Sequence, residues 1–273
     1  VAANAYLNAY AKSRAGGQTR VLAINWGLWS EVGMAAEAVA ARTGAEPALP
    51  GTPITAPMLD EAGFDAAGHR IFTARYDPTH RWVLNEHRTA GGDAVMPGTG
   101  YLELASEALA AHGETGGFDV HDLMFMRPMQ IENATPRDIR VRLIRSDEGY
   151  RFEVHSACVL NGRTGWQLHA EARLRLHNLD MVKTIDLAAV KARCPKVQTA
   201  EPGQALVSPQ EAHLQFGPRW KVLRSQAFGQ AEGVADLSLT QAFQADLVEG
   251  YHLHPGLLDL ATGWAMGLIE GYQ

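Results

Sequence analysis

A single helix followed by four long alternating segments does most to limit the folds open to this chain. Pro97-Gly98 opens an apolar helix predicted over Thr99–His112, with Leu102, Ala105, Leu109 and Ala110 along one face. Strand-like segments follow at Phe118–Met126, Ile139–Ile144, Tyr150–Leu160 and Trp166–Leu176. Arg140-Val-Arg-Leu-Ile144 and Arg173-Leu-Arg-Leu176 alternate polar with apolar residues, as half-buried antiparallel strands do. Strands of that kind need an apolar partner under one face, and the helix before them supplies it. The pattern predicts an α+β domain with an antiparallel sheet wrapped around a helix.

The flanking regions have other rhythms. Ile71–Tyr76 and Trp82–Leu84 are predicted strands. Residues 1–68 open on an Ala-rich helical stretch, Val1–Arg14, and continue through an apolar run, Val21–Ile24, into Asn25-Trp-Gly-Leu-Trp29. An Ala-, Gly-, Pro- and Thr-rich lid or linker fills 35–68. Residues 179–205 also read as a linker. Strand-like segments then recur at Val222–Phe228 and Gly233–Leu239, and a helix starts near Pro255 and runs to the end of the chain. The expected division is an N-terminal segment over 1–68, a first sheet-and-helix unit over 69–178, a linker over 179–205 and a second, truncated unit over 206–273. The chain reads as a piece of a longer polypeptide.

Composition excludes several functions. A net charge of −6 without a dense Lys/Arg run argues against nucleic-acid binding. No apolar run is long enough for a membrane span, and no signal peptide opens the chain, so a cytoplasmic location is expected. Cys158 and Cys194 suggest no disulfide framework, and the scattered His residues show no metal-site spacing with them.

Two segments carry candidate chemistry. In the first, His87 leads into a glycine turn, Gly91-Gly92, and then into the Pro97-Gly98 helix start. Glycine allows backbone N–H groups to approach a ligand, and a helix N-terminus favours developing negative charge. A base beside N–H donors suits removal of a proton α to a carbonyl. In the second, His254-Pro255-Gly-Leu-Leu-Asp259, the carboxyl lies one turn into a helix among Leu257, Leu258 and Leu260. Apolar surroundings penalise an ionised carboxyl, which suits Asp259 to act as an acid.

These segments resemble the signature sites of the double-hotdog dehydratase domains of type I polyketide synthases. The family's first motif is His-x-x-x-Gly-x-x-x-x-Pro, its second places an Asp after His-Pro-x-x-Leu, and Phe216-Gly217-Pro218-Arg219-Trp220 is similar to its Tyr-Gly-Pro-x-Phe segment. The resemblance implies a double hotdog that eliminates water from a 3-hydroxyacyl thioester on the phosphopantetheine arm of an acyl carrier protein. It makes His87 the base, Asp259 the acid, and Gly91 or Gly92, in the motif closed by Pro97, the N–H donor to the thioester carbonyl. Phe216, Gly217, Pro218, His254, Pro255 and Gly263 become tunnel or support residues. It implies no metal or redox cofactor, and as partners an acyl carrier protein, other domains of the same synthase and a second copy in a homodimer. A double-bond isomerase, a pyran-forming cyclase and a non-catalytic dimerising scaffold are the alternatives.

The match has departures. Pro97 lies ten residues after His87 rather than nine, and the surplus residue is expected as a bulge in the Arg88–Asp93 turn. The family's Tyr is Phe216, and the Gln or His usual four residues after the acid is Gly263, which removes hydrogen-bonding support around acid and base. Separately, Val1-Ala-Ala-Asn4-Ala-Tyr-Leu7 and Ile24-Asn-Trp-Gly-Leu-Trp-Ser-Glu-Val-Gly-Met34 resemble the end of a polyketide ketoreductase, a remnant of a Rossmann-like domain. Asn4 is then a relic of reductase chemistry. NADPH would serve only that upstream domain, and its glycine-rich nucleotide loop is not in this sequence.

Overall fold

The alternation predicted between Ile139 and Leu176 is realised as a set of facing apolar pairs. The computed structural model describes residues 51–65, 67–133, 135–160, 163–177 and 184–269. In chain order these form β1 (Thr52–Pro53), β2 (Glu61–Phe64), β3 (Arg70–Tyr76), helix α1 (Trp82–Asn85), β4 (His87–Thr89), β5 (Ala94–Val95) and helix α2 (Gly98–His112). There follow β6 (Gly117–Phe125), β7 (Gln130–Ile131), β8 (Arg137–Ser146), β9 (Gly149–Leu160) and β10 (Arg163–His177). The remainder is α3 (Leu187–Arg193), β11 (Lys196–Thr199), β12 (Leu214–Phe216), β13 (Leu223–Phe228), β14 (Gly233–Leu237) and α4 (Pro255–Gly263).

Seven strands make one antiparallel sheet in the order β1-β2-β3-β8-β9-β10-β6. Its register sets Phe72 opposite Val141, Val141 opposite Val154, and Leu143 opposite Phe152, which faces Ala172 in turn. All of these are buried, so a one-residue slip would turn the whole apolar set to solvent. Tyr101, Leu104, Ala105, Ala108 and Leu109 of α2 belong to the same core. Helix α2 is capped by Pro97 in extended conformation and ends on Gly113 at φ 99°, a left-handed position suited to glycine. Two smaller sheets complete the fold, β12-β4-β5-β7 and β11-β13-β14.

Several expectations change. Trp82–Leu84 is the helical turn α1 rather than a strand, because the Arg81 carbonyl accepts the N–H groups of Leu84 and Asn85 and the turn buries the adjacent Val83 and Leu84. Three apolar residues in a row cannot distinguish the two conformations. The large sheet begins before residue 69: β2 pairs with β3 from Glu61↔Thr73 to Phe64↔Arg70. The 179–205 stretch holds α3 and β11, with β11 paired to β13. Helix α2 is buried on nearly every side, not on one apolar face, and includes the buried carboxyls Glu103 and Glu107. Helix α4 stops at Gly263 and continues as a 3-10 segment, Trp264–Leu268. The helix and strand predicted before residue 30, and Asn4, lie outside the described residues. Among those described, no helix is long and apolar enough to cross a membrane, and no cluster of His, Cys, Asp and Glu has the arrangement of a metal site.

Candidate active site

Strand β4 sets His87 directly opposite Phe216 of β12, and the two rings stand 5.7 Å apart. The His87 Nδ1 bonds the Val95 carbonyl at 2.8 Å. That contact makes Nδ1 the protonated nitrogen and leaves the Nε2 lone pair free. Nε2 lies 3.9 Å from Oδ2 of Asp259, with the two side chains only 7% and 12% exposed. Burial pushes the imidazole below its ordinary 6.5, while the Val95 carbonyl and the Asp259 charge pull it partly back. His87 is therefore a neutral imidazole near neutral pH.

Asp259 sits on α4, whose N-terminus is built by His254 and Pro255. The His254 Nδ1 accepts the Leu257 N–H at 3.3 Å, so this histidine is the helix cap. Its ring stacks on Trp82 with centroids 5.0 Å apart, and its Nε2 lies 3.4 Å from Asp246. Oδ2 of Asp259 accepts the indole N–H of Trp220 at 2.8 Å.

The Phe216–Trp220 segment is locked to the residue beside the base. Gly217 donates its N–H to the Glu86 carbonyl at 2.8 Å, and Arg219 donates its N–H to Glu86 Oε2 at 2.7 Å. A Cβ at Gly217 would come within 2.4 Å of the Glu86 side chain, so the close approach requires glycine. Pro218 starts the 3-10 turn that presents Arg219 and Trp220. The Arg219 guanidinium joins Glu86 at 2.8 Å to Asp246 at 2.6 Å. Sequence reading takes Trp220 as core or tunnel lining and assigns no role to Glu86, Arg219 or Asp246. Only the indole N–H, a donor that needs a partner when buried, signals more than packing at Trp220.

The structure brings His87, Asp259, Phe216, Gly217, Pro218, His254 and Pro255 together, but the glycine turn behaves differently from expectation. The Gly92 N–H donates to the Thr89 carbonyl at 2.9 Å, with Gly92 at φ 92°. This is a three-residue hairpin loop with a glycine bulge, at the turn where the surplus residue is expected. Gly91 is exposed at its tip. The Gly92 N–H is thus already spent. Pro97 instead caps α2, whose first-turn N–H groups begin at Gly98. At Gly263 a Cβ would fall 2.2 Å from Oε1 of Gln210, so the Gln210 amide fills the space a side chain there would take. Two open surface clefts of about 430 and 370 Å³ lie around Arg224, and neither is lined by His87 or Asp259.

Comparison with known proteins gives two family matches. A family model described as polyketide synthase dehydratase domain matches residues 56–157, and one described as polyketide synthase dehydratase N-terminal domain matches residues 186–271. The chain is 31% identical over 199 residues to mycoketide-CoA synthase of Mycobacterium tuberculosis, an alignment covering 72% of this chain and 4% of that protein. It spans between 2% and 8% of the length of the curated relatives it matches. The dehydratase domain from the CurF module of curacin polyketide synthase superposes with a TM-score of 0.68 at 21% identity, covering 81% of this chain and 79% of that one. Two inactive mutants of CurK dehydratase, one with Asp replaced by Asn and one with His by Phe, superpose with TM-scores of 0.64 and 0.63. Each is 22% identical, covering 79% of this chain and 76% or 75% of the other.

Proposed function

The chain belongs to the polyketide synthase dehydratase domain family, and from that premise we propose that it eliminates water from a 3-hydroxyacyl thioester held on the phosphopantetheine arm of an acyl carrier protein. The observation that carries this reading is the buried contact of a neutral His87 Nε2 with Asp259 at 3.9 Å. The existence of inactive His and Asp mutants of a CurK dehydratase adds support.

In the proposed reaction the Nε2 lone pair takes the α-proton. The electrons of the Cα–H bond form the double bond, and the β-carbon–oxygen bond breaks as Asp259 protonates the departing hydroxyl. Water and an enoyl thioester leave. The imidazolium then returns its proton to the carboxylate, which restores both groups. His87 and Asp259 touch in this structure, so a substrate must part them by its own width. In this scheme the thioester oxygen faces the first-turn N–H groups of α2 from Gly98 onward, in place of Gly91 and Gly92. No redox cofactor enters these steps.

We further read the chain from α3 and β11 onward as part of a second hotdog beside the first, with the synthase's other domains and a second copy of the chain as partners, in the cytoplasm. The residues before 51, with Asn4, read as the end of a ketoreductase, the domain that NADPH would serve, while 52–64 belong to the dehydratase sheet. Mass spectrometry of a carrier-bound 3-hydroxyacyl substrate incubated with the protein tests the reaction. Loss of one water is expected; an unchanged substrate overturns it, and a cyclised or double-bond-shifted product identifies the isomerase or cyclase alternative.

A further inference from the structure

We propose that Trp220 is the positioning residue of the acid: its indole N–H holds Oδ2 of Asp259, the oxygen 3.9 Å from the His87 Nε2, and so fixes how the carboxyl faces the base. The inference rests on the dehydratase reading above and assigns a role that Phe216 and Gly263 leave open. Neither of those residues can offer Asp259 a side-chain hydrogen bond. The space beside Gly263 is filled by Gln210, whose Oε1 accepts the Ser208 hydroxyl at 3.2 Å instead of serving the acid. Among the described residues the Trp220 indole, at 2.8 Å, is the donor that reaches the Asp259 carboxyl.

Three features make this contact directional. Trp220 is 1% exposed, so its N–H has no access to bulk water and depends on Asp259. Its ring lies against His87, with centroids 5.6 Å apart, and against Phe216 at 6.0 Å, which prevents rotation. Its backbone follows Arg219, whose N–H is fixed by Glu86, the neighbour of the base. The side chain that aims the acid is thus anchored to the residue that precedes the base. The indole N–H on Oδ2 therefore limits how the Asp259 carboxyl can turn about its Cβ–Cγ bond. When the acid's proton has gone, the same N–H stabilises the carboxylate left behind.

The test replaces Trp220 by β-(3-benzothienyl)alanine, which keeps the two-ring shape but has sulfur in place of the N–H, with Trp220→Phe beside it. Both should lower kcat about tenfold or more while KM stays within about threefold. An isostere that keeps kcat within about twofold of the wild type overturns the proposal, because shape alone then suffices. A second readout does not depend on turnover. Of the indole N–H resonances from the six Trp residues, one should move upfield and lose exchange protection in Asp259→Ala. No change in any of them overturns the assignment of the contact. A wild-type protein that dehydrates nothing, yet shows this indole response, removes the reaction and keeps the Trp220–Asp259 pairing.

Discussion

Thr99 donates its hydroxyl proton to the Pro255 carbonyl across 3.1 Å, and this bond fastens the first turn of α2 to the first turn of α4. Helix α2 begins three residues after Val95, whose carbonyl holds the His87 ring, and α4 carries Asp259 one turn further on. The two helices therefore bring their partial positive ends together near the base and the acid. An enolate-like oxygen formed there would meet fixed dipoles that need no reorganisation.

The first expected outcome concerns the pair itself. His87→Ala and Asp259→Asn should each reduce dehydration by about 10²–10⁴-fold, the range typical of general acid–base groups. Both should keep the far-ultraviolet dichroism of the wild type. A variant of either residue that retains a third or more of the wild-type rate removes that residue from the chemistry.

The pH dependence follows from His87. Its imidazole titrates below 6.5 because burial disfavours the cation. The neutral form is the base, so the acid limb of activity should have its midpoint below 6.5. A pH profile of kcat/KM on a carrier-bound substrate measures this limb. A midpoint above pH 7 would contradict the buried, neutral imidazole.

Which parts were legible in the sequence depends on how local the determining forces are. The strands from Ile139 to Leu176 follow from two-residue alternation, and Gly113 marks the end of α2 by its own backbone preference. His87 and Asp259 stand in motifs whose spacing is local, while their meeting at 3.9 Å depends on the tertiary fold. The use made of Trp220, Glu86, Arg219 and Asp246 arises from contacts across up to 133 residues of chain, which no window of sequence reveals. The glycine turn misleads for a related reason. Gly91 and Gly92 have the freedom to bind a ligand, but hairpin closure spends the Gly92 N–H on Thr89. Short elements such as α1 and β12 are decided by what they pack against, so Trp82–Leu84 reads equally well as strand or helix.

Arg219 should be costly to remove. Its guanidinium lies between Glu86 and Asp246, whose side chains are 10% and 7% exposed, and over the rings of Trp82 and Phe243. Arg219→Met leaves two buried carboxylates without their cation, which typically costs about 3–5 kcal/mol. Urea unfolding should show that loss. Glu86→Gln should be milder, since an amide oxygen can still accept the Arg219 N–H. A loss below about 1 kcal/mol in Arg219→Met would mean that the cluster is solvated and contributes only as surface ion pairs do.

The final expectation comes from two carboxyls one turn apart on α2. Glu103 accepts the N–H groups of His252 and Leu253 at 3.0 and 2.5 Å, bracing the approach to His254. Glu107 accepts the Met58 N–H at 3.0 Å. Burial, then the charge of Glu103, pushes Glu107 up to about 8, so it carries a proton at neutral pH. The folded chain therefore holds this proton over a range in which the unfolded chain, with Glu107 near 4.5, has released it. The stability that follows is complete below 4.5 and is lost as pH rises through about 8. Glu107→Gln keeps the size and neutrality of the protonated form and cannot ionise. Urea midpoints measured from about pH 5 to about pH 9 should fall more steeply for the wild type than for the variant, and the variant should be the more stable at the alkaline end. Parallel curves would show that Glu107 is already ionised in the folded protein, with its charge met by donors other than the Met58 N–H.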